Sequence, residues 1–600
     1  MPLFDMCLRQ RGWQVALAAV ALVACATPTP APPPSVAPRV EPARPVQPAD
    51  LPPPAPAVEP PRPAWTQPIA IPRFGEIPWE PAVPTATESP AVAARFLQPA
   101  VHYNTPAFEP GRTAFTSNEE LQSLLRSFVR DGAAVPGATT VRLLPLGRSQ
   151  AGAPIEALLF TRLDNPEAES LLRSGRPTVL LVGQQHGDEP AGSEALIVIA
   201  QELAQGVLSS LLNRINVVML PRANPDGAQA GRRLTASGID ANRDHLLLRT
   251  PEAQAQAQLM RDYRPTVVVD AHEYTAIGRY LTKFGAVQRF DALVQYAMTA
   301  NLPEFITKAS EEWFRRPLLA SLQREGLSTQ WYYTTSADPQ DKKMAMGGTR
   351  PDNGRNVNGL KNSISFLIET RGVGLGRAHL LRRVHTHVIA MASVLRSAAD
   401  RADSLVKLHQ FVDNEVSALA CQSEAVLEAA PTPSEYVVVM LDPVTGADKP
   451  VAVTWDSSLE LRPLKRRARP CGYWLAADQT DAVLRLRGLG VTVRQVAEAG
   501  VMRSETYREV SRETGLREDV RGSIADAGGV QRVEVALSPT LIDVPAGSFY
   551  VPMDQPLANL VLAALEPDTQ SSYLANGIVT SVESVARVML RPEAKLDVVP

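Results

Sequence analysis

Between about residue 96 and residue 400 the apolar positions follow two alternating patterns. PTVLLVG (177–183), INVVMLP (215–221), TVVVDAHEY (266–274) and SISFLIET (363–370) are continuous apolar runs, the pattern of strands buried on both faces of a sheet. TTVRLLPLG and PIEALLFTR predict two more strands, joined by a turn at Ser149–Ala153. Helical spacing separates them: LQSLLRSFVRDG, with Ser117 as its expected N-cap, then SEALIVIAQELAQGV, and a last helical stretch from about Arg377 to Val412. This alternation predicts an α/β domain over 95–412, a mixed sheet flanked by helices.

From Pro431 the texture changes. EYVVVMLDP, KPVAVTW, DAVLRLRGLGVTVRQV and QRVEVAL read as short β-like pieces with turn residues between them. They predict a second, smaller β-rich domain over 431–600. Near its end GSFYVPMDQPLANLVLAALEP reads as strand, turn and helix, and the region carries no catalytic constellation.

Composition changes this picture mainly at the N-terminus. The chain has 600 residues, too many for one ordinary core, with 45% hydrophobic and 20% charged residues and a net charge of -3. That balance gives no basic footprint for nucleic acid. Of its 53 prolines a disproportionate share lies in residues 28–90, about a third of which are proline and where few apolar side chains could offset the entropy of ordering. Residues 25–94 are therefore read as an extended, disordered tether. Ahead of them Arg9 and Arg11 precede VALAAVALVAC, a charged start and an apolar run too short for a membrane span. Residues 1–24 are read as a signal peptide. Leu22-Val23-Ala24-Cys25 resembles a bacterial lipobox, which implies a lipid anchor on Cys25 and a bacterial cell-envelope location. Ala26 after the cysteine implies a periplasm-facing outer-membrane lipoprotein. Cys421 and Cys471 remain, and an oxidising compartment permits a bond between them that spacing alone does not decide.

The candidate chemistry sits at the ends of the buried runs, where an open α/β sheet presents its ligand sites. His186 and Glu189 flank Gly187-Asp188 just after 177–183, and His272 closes Asp270-Ala271-His272. Two imidazoles and one carboxylate are a catalytic zinc donor set that leaves a position for water. Between them lie Asn224-Pro225-Asp226-Gly227, the pair Arg232-Arg233, and Asp240-Ala241-Asn242-Arg243. An arginine fork with an amide alongside suits a terminal carboxylate. Glu369 lies at the end of an apolar run, where a carboxylate is costly unless used or paired.

In this order, HxxE, NPDG, Arg, DxNR, a strand-borne His and FxxExR resemble the M14, carboxypeptidase A-like family of zinc carboxypeptidases over about Ser117–Asp400. The resemblance implies one Zn2+ on His186, Glu189 and His272, with Asp240 orienting the first histidine. It implies Glu369 as general base and Arg233, with Arg232 as competitor, on the scissile carbonyl. Asn242 and Arg243 would hold the free C-terminal carboxylate of a peptide substrate. The loop where the family carries a tyrosine, 346–358, holds none here, and Tyr332 and Tyr333 lie too early to align with it. Arg350 and Arg355 in that loop are read as solvated charges, with contact to an acidic substrate group as the competing role. Two alternatives stand beside the carboxypeptidase reading: a related zinc amidohydrolase acting on peptidoglycan stem peptides or N-acyl amino acids, and a zinc-free binding module.

Overall fold

The computed structural model describes residues 87–133, 139–524 and 529–599. The expected signal, the Cys25 anchor and most of the expected tether lie outside these residues.

The centre is an eight-stranded mixed sheet, ordered β1-β2-β4-β3-β5-β9-β6-β7. Its strands are β1 (Thr140–Arg148), β2 (Pro154–Thr161), β3 (Thr178–Gly183), β4 (Asn216–Leu220), β5 (Val267–Thr275), β6 (Ala292–Tyr296), β7 (Thr329–Trp331) and β9 (Ile364–Val373). The intervening β8 (Lys343–Ala345) belongs to another sheet. β4, β3, β5 and β9 run parallel; β1, β2 and β6 are antiparallel to their inner neighbours.

Continuous burial on the central strands has a direct cause. Val179 and Leu181 of β3 face a core shared with the helices Ala191–Ala204 and Leu380–Asp400, while Leu180 and Val182 face a second core against the helix Pro251–Tyr263. With both faces covered, alternation disappears from the sequence. Helix starts follow their side chains. Ser117 Oγ accepts from Glu120 N (3.2 Å) and Glu120 Oε2 accepts from Ser117 N (2.7 Å), a reciprocal capping box. Thr250 Oγ1 caps the helix at Pro251 by accepting from Ala253 N (3.2 Å).

The C-terminal part is β-rich. β10 (Glu424–Leu441) and β11 (Asp448–Ala468) form a long hairpin, and β8 adds to it in parallel through Trp455↔Met344. A seven-stranded sheet follows, built from β12 (Gly472–Leu475), β13 (Arg494–Val496), β14 (Gly500–Gly515), β17 (Val530–Val544), β18 (Phe549–Pro552), β19 (Val585–Val588) and β20 (Leu596–Val598). A two-stranded piece, β15 (Glu518–Asp519) and β16 (Gly522–Ser523), sits at the tip of the β14–β17 hairpin. Cys421 and Cys471 are joined by a disulfide, with Cα atoms 4.3 Å apart. It ties the end of the helix Ala402–Ala418 to the start of β12.

Three expectations change. Residues 87–94 are folded: Ser89 caps a short helix (Pro90–Ala93), Val92 is buried, and the Glu88 carboxylate is held by Arg371 and by His379 Nε2 (2.8 Å). Thr480–Gly488, expected as a β-like piece, is a helix that buries Ala482, Val483 and Leu486. The boundary at 431 does not hold either, since β10 starts at Glu424 and one hydrophobic core runs continuously from Ala107 to Val585.

Candidate metal centre

β3 delivers the chain to the centre at Gly183, where Gln184 adopts the left-handed region (φ 50°) and turns it sharply. The loop His186-Gly187-Asp188-Glu189 then feeds the helix at Ala191, whose backbone N–H donates to Glu273 Oε2 (3.0 Å). A carboxylate at a helix N-terminus suits the orphan donors there. Gly187 sits against the turn at Gly227. A Cβ on Gly187 would lie 1.9 Å from the Gly227 carbonyl carbon, so no side chain fits. Asn224 explains its own place: its Oδ1 accepts from Gly227 N (2.8 Å) and its Nδ2 donates to Gln185 O (3.2 Å). NPDG is therefore a buttress behind the His186 loop.

β5 and β9 run parallel with His272 directly opposite Glu369. His186 Nδ1 lies 2.7 Å from Glu189 Oε1, His272 Nδ1 lies 2.7 Å from Glu189 Oε2, and the two Nδ1 atoms are 3.0 Å apart. Behind the rings, His186 Nε2 meets Asp240 Oδ1 (3.1 Å) and His272 Nε2 meets Asp270 Oδ2 (2.9 Å). An N–H on each Nε2 toward its carboxylate leaves both Nδ1 lone pairs converging with the Glu189 carboxylate. All three residues are buried, and their donor atoms lie within 4.8 Å of one another. Electron-rich atoms packed this closely need a positive charge among them. Burial would lower the His272 pKa, yet the carboxylates of Asp270 and Glu189 outweigh it and raise it well above the usual value. The donor set and its field fit a zinc ion.

Glu369 is buried beside this set, and burial together with the Glu189 carboxylate pushes its carboxyl up to about 7. Of the two adjacent arginines, Arg232 is exposed, whereas Arg233 lines the cleft. Arg233 Nη1 reaches His186 Nδ1 (3.1 Å), and its Nη2 and Nε grip Asp240 Oδ2 (2.8 and 3.2 Å). Asn242 Nδ2 lies 3.2 Å from His272 Nε2, and its Oδ1 accepts from Gly354 N (2.8 Å), which pins the 346–358 segment. Arg243 also lines the cleft, but its Nε and Nη2 are taken by Asp519 Oδ2 (3.1 and 2.5 Å).

Several functional groups escaped the sequence. Asp270 stood in view beside His272, and a carboxylate two residues from a ligand was its only signal. Tyr332 reaches the cleft despite its early position. Gly347, in the left-handed region at φ +84°, leaves the space for its ring; a Cβ there would lie 2.9 Å from Tyr332 Cε1. Burial and the Glu369 charge push the Tyr332 hydroxyl up to about 12. Arg350 is exposed, with its Nη1 donating to Glu518 O, whereas Arg355 is only 4% exposed and lines the cleft. Its Nη2 donates to Gly348 O (3.1 Å), its Nε has no hydrogen-bond partner, and burial lowers its pKa to about 10. Asp519 belongs to a segment with no sequence link to the centre.

A buried His–Glu–His donor set at the ends of parallel strands, with a carboxylate across the sheet, defines a metallopeptidase-type centre. Residues 138–375 match the model of the zinc carboxypeptidase family. Carboxypeptidase 2 of Trichophyton rubrum is 28% identical over 421 residues, covering 70% of this chain and 76% of that protein. Human carboxypeptidase D is 39% identical over 134 residues, 19% of this chain and 9% of that one. Among solved structures, a metallo-carboxypeptidase from Pseudomonas aeruginosa matches with a TM-score of 0.34 and 22% identity, covering 47% of this chain and 68% of that chain. The chain carries a domain of the zinc carboxypeptidase family and is a peptide hydrolase of that class.

Proposed function

We propose that the protein is a single-zinc metallocarboxypeptidase that removes residues from the C-terminus of peptides. His186, Glu189 and His272 would hold the ion, which when bound supplies Lewis acidity toward the scissile carbonyl and acidifies water. Glu369 takes the proton from the attacking water and passes it to the leaving amine. Burial raises this carboxyl and the ion's charge lowers it, a balance that leaves it basic enough for the first transfer and acidic enough for the second. Arg233, facing the cleft, stabilises the oxyanion as charge develops. Asn242 and Arg243 receive the terminal carboxylate, the guanidinium supplying paired donors.

The observation that carries this reading is the register of His272 against Glu369, beside the converging His186 and Glu189 donors. The unpartnered Nε of buried Arg355 favours an acidic side chain at the released position. The test is metal analysis of the purified protein together with digestion of a peptide library read by mass spectrometry. Zinc at one ion per chain and release of single C-terminal residues support the proposal; internal cleavage or acyl release instead would sink it. Glu369→Gln should retain zinc and lose about 10²–10⁴-fold in kcat.

We also propose an envelope location through lipidation of Cys25. Palmitate labelling of the wild type, absent in Cys25→Ala, is the expected result, and equal labelling of both would refute it.

A further inference from the structure

The proposed anchor for the substrate carboxylate already holds a carboxylate of this chain. β14 and β17 are paired at their upper end by Gly515↔Val530, and the segment beyond that pair reaches into the catalytic cleft, whose wall includes Val520 and Arg521. Asp519 places Oδ2 on both Nε and Nη2 of Arg243 (3.1 and 2.5 Å), and both side chains are nearly buried, at 6% and 12% exposure. Burial would raise the Asp519 carboxyl, but the Arg243 and Arg521 guanidiniums outweigh it and hold it at about 2. It is ionised at any working pH.

The contact is built from both sides. Arg517 Nη2 donates to Arg243 O (2.8 Å), Gln570 Nε2 donates to Glu518 O (2.7 Å), and Ala337 N donates to Arg521 O (3.2 Å). Within the turn Arg521 N donates to Asp519 Oδ1 (2.7 Å), and Gly522 takes φ +120°, which a side chain would strain. The strap is thus tied by backbone and side chain to Arg243, to the 337 loop and to the C-terminal region at Gln570. These ties hold one carboxylate oxygen on the guanidinium edge that an incoming peptide terminus needs.

We propose that residues 517–524 form an autoinhibitory strap, in which Asp519 occupies the carboxylate subsite and must be displaced by the C-terminal carboxylate of the substrate. This rests on the reading of Arg243 as the carboxylate anchor. A tethered competitor acts at an effective concentration of the order of millimolar, so it raises KM for every substrate that uses Arg243. It leaves the chemical step at Glu369 alone, because the displaced enzyme is the same enzyme. Breaking the Arg243–Asp519 pair should therefore show in KM far more than in kcat.

The experiment uses the full chain and an N-blocked dipeptide with a free C-terminus, with its C-terminal amide as control. Binding is measured on the zinc-loaded Glu369→Gln protein, with and without Asp519→Asn. Asp519→Asn should tighten the carboxylate dipeptide by about tenfold or more and leave the amide unmoved. Asp519→Glu should restore weak binding, and Glu518→Gln, whose side chain lies against Arg532 (3.2 Å) rather than Arg243, should change nothing. Equal or weaker binding by Asp519→Asn, or no binding by either form, overturns the proposal.

A second readout needs no change at 519. Hydrogen exchange of amides 517–524 in Glu369→Gln should accelerate when the carboxylate dipeptide is added, and unchanged protection at saturation overturns the strap. Hydrolysis by the wild-type protein is scored separately. Tighter binding by Asp519→Asn with no C-terminal residue released by any Glu369-containing form would leave the strap standing and remove the carboxypeptidase reading.

Discussion

Gly187→Ala should dismantle the metal centre without touching any ligand. The added Cβ would meet the Gly227 carbonyl carbon at 1.9 Å, its oxygen at 2.2 Å and Ala228 N at 2.3 Å. All three are backbone atoms, so no rotamer can yield. A comfortable carbon contact is about 3.5 Å or more, so the His186 loop or the NPDG turn must retreat by more than an ångström. The turn is pinned by Asn224, which leaves the loop to move. Overpacking of this kind costs roughly 1–3 kcal/mol. The larger effect is on His186 and Glu189, which flank the glycine and need placement within about 0.5 Å. Zinc affinity should fall by at least the roughly 10–100-fold seen when metal-ligand support is lost. The assay is competition for zinc against a chromophoric chelator, with thermal unfolding measured in the apo state. Gly348→Ala is the control, since a Cβ there finds nothing closer than Asn353 Nδ2 at 4.0 Å. Wild-type zinc affinity in a folded Gly187→Ala protein would refute the reasoning.

Two further outcomes concern protons. Glu369 must be ionised to accept one, so kcat/KM should rise with pH across an acid limb that Glu369 controls. Its carboxyl is held at about 7 without the ion, and zinc's charge draws it lower, so the limb should fall below 7 in the loaded enzyme; a limb well above 7 would contradict the assignment. Lys361 is 8% exposed, and burial followed by the charge of Arg261 lowers its pKa from 10.5 to about 7. Between those values the unfolded chain holds the extra proton, so stability rises with pH through that window, by an amount of order a few kcal/mol. Lys361→Met should stabilise the fold most below pH 7 and hardly at all above 10.5, as chemical unfolding across pH would show; equal effects at both ends would refute it.

The parts of the site legible in the sequence are those whose reason is local. His186 and Glu189 follow one buried run and His272 and Glu369 end two others, so a continuous apolar pattern and its exit residue were sufficient. What stayed hidden depends on distant chain. β6 and β7 are short, and β6 runs against β9, so neither shows the long apolar run that betrayed the inner strands. Thr480–Gly488 carries apolar residues that fit either period, and its burial against the rest of the fold settles it as a helix. Arg355 reads as a loop charge until the structure places it in the first turn of a buried helix, Gly354–Leu360. Glu88 lies at the end of a proline-rich stretch, and only Arg371 and His379, far along the chain, give it a reason to be ordered. Asp519 had no pattern to announce it.

The parallel addition of β8 to β11 has a consequence for the order of assembly. β8 leads directly into the 346–358 loop, and Met346 N donates to Asp456 O (3.0 Å) on β11. The wall of the cleft is therefore hung from a strand translated long after the metal ligands and Glu369 have left the ribosome. A nascent chain can hold its zinc donors while the pocket beside them still lacks its frame. Catalytic competence arrives late in synthesis, a useful delay for a peptidase made inside a cell full of chain ends.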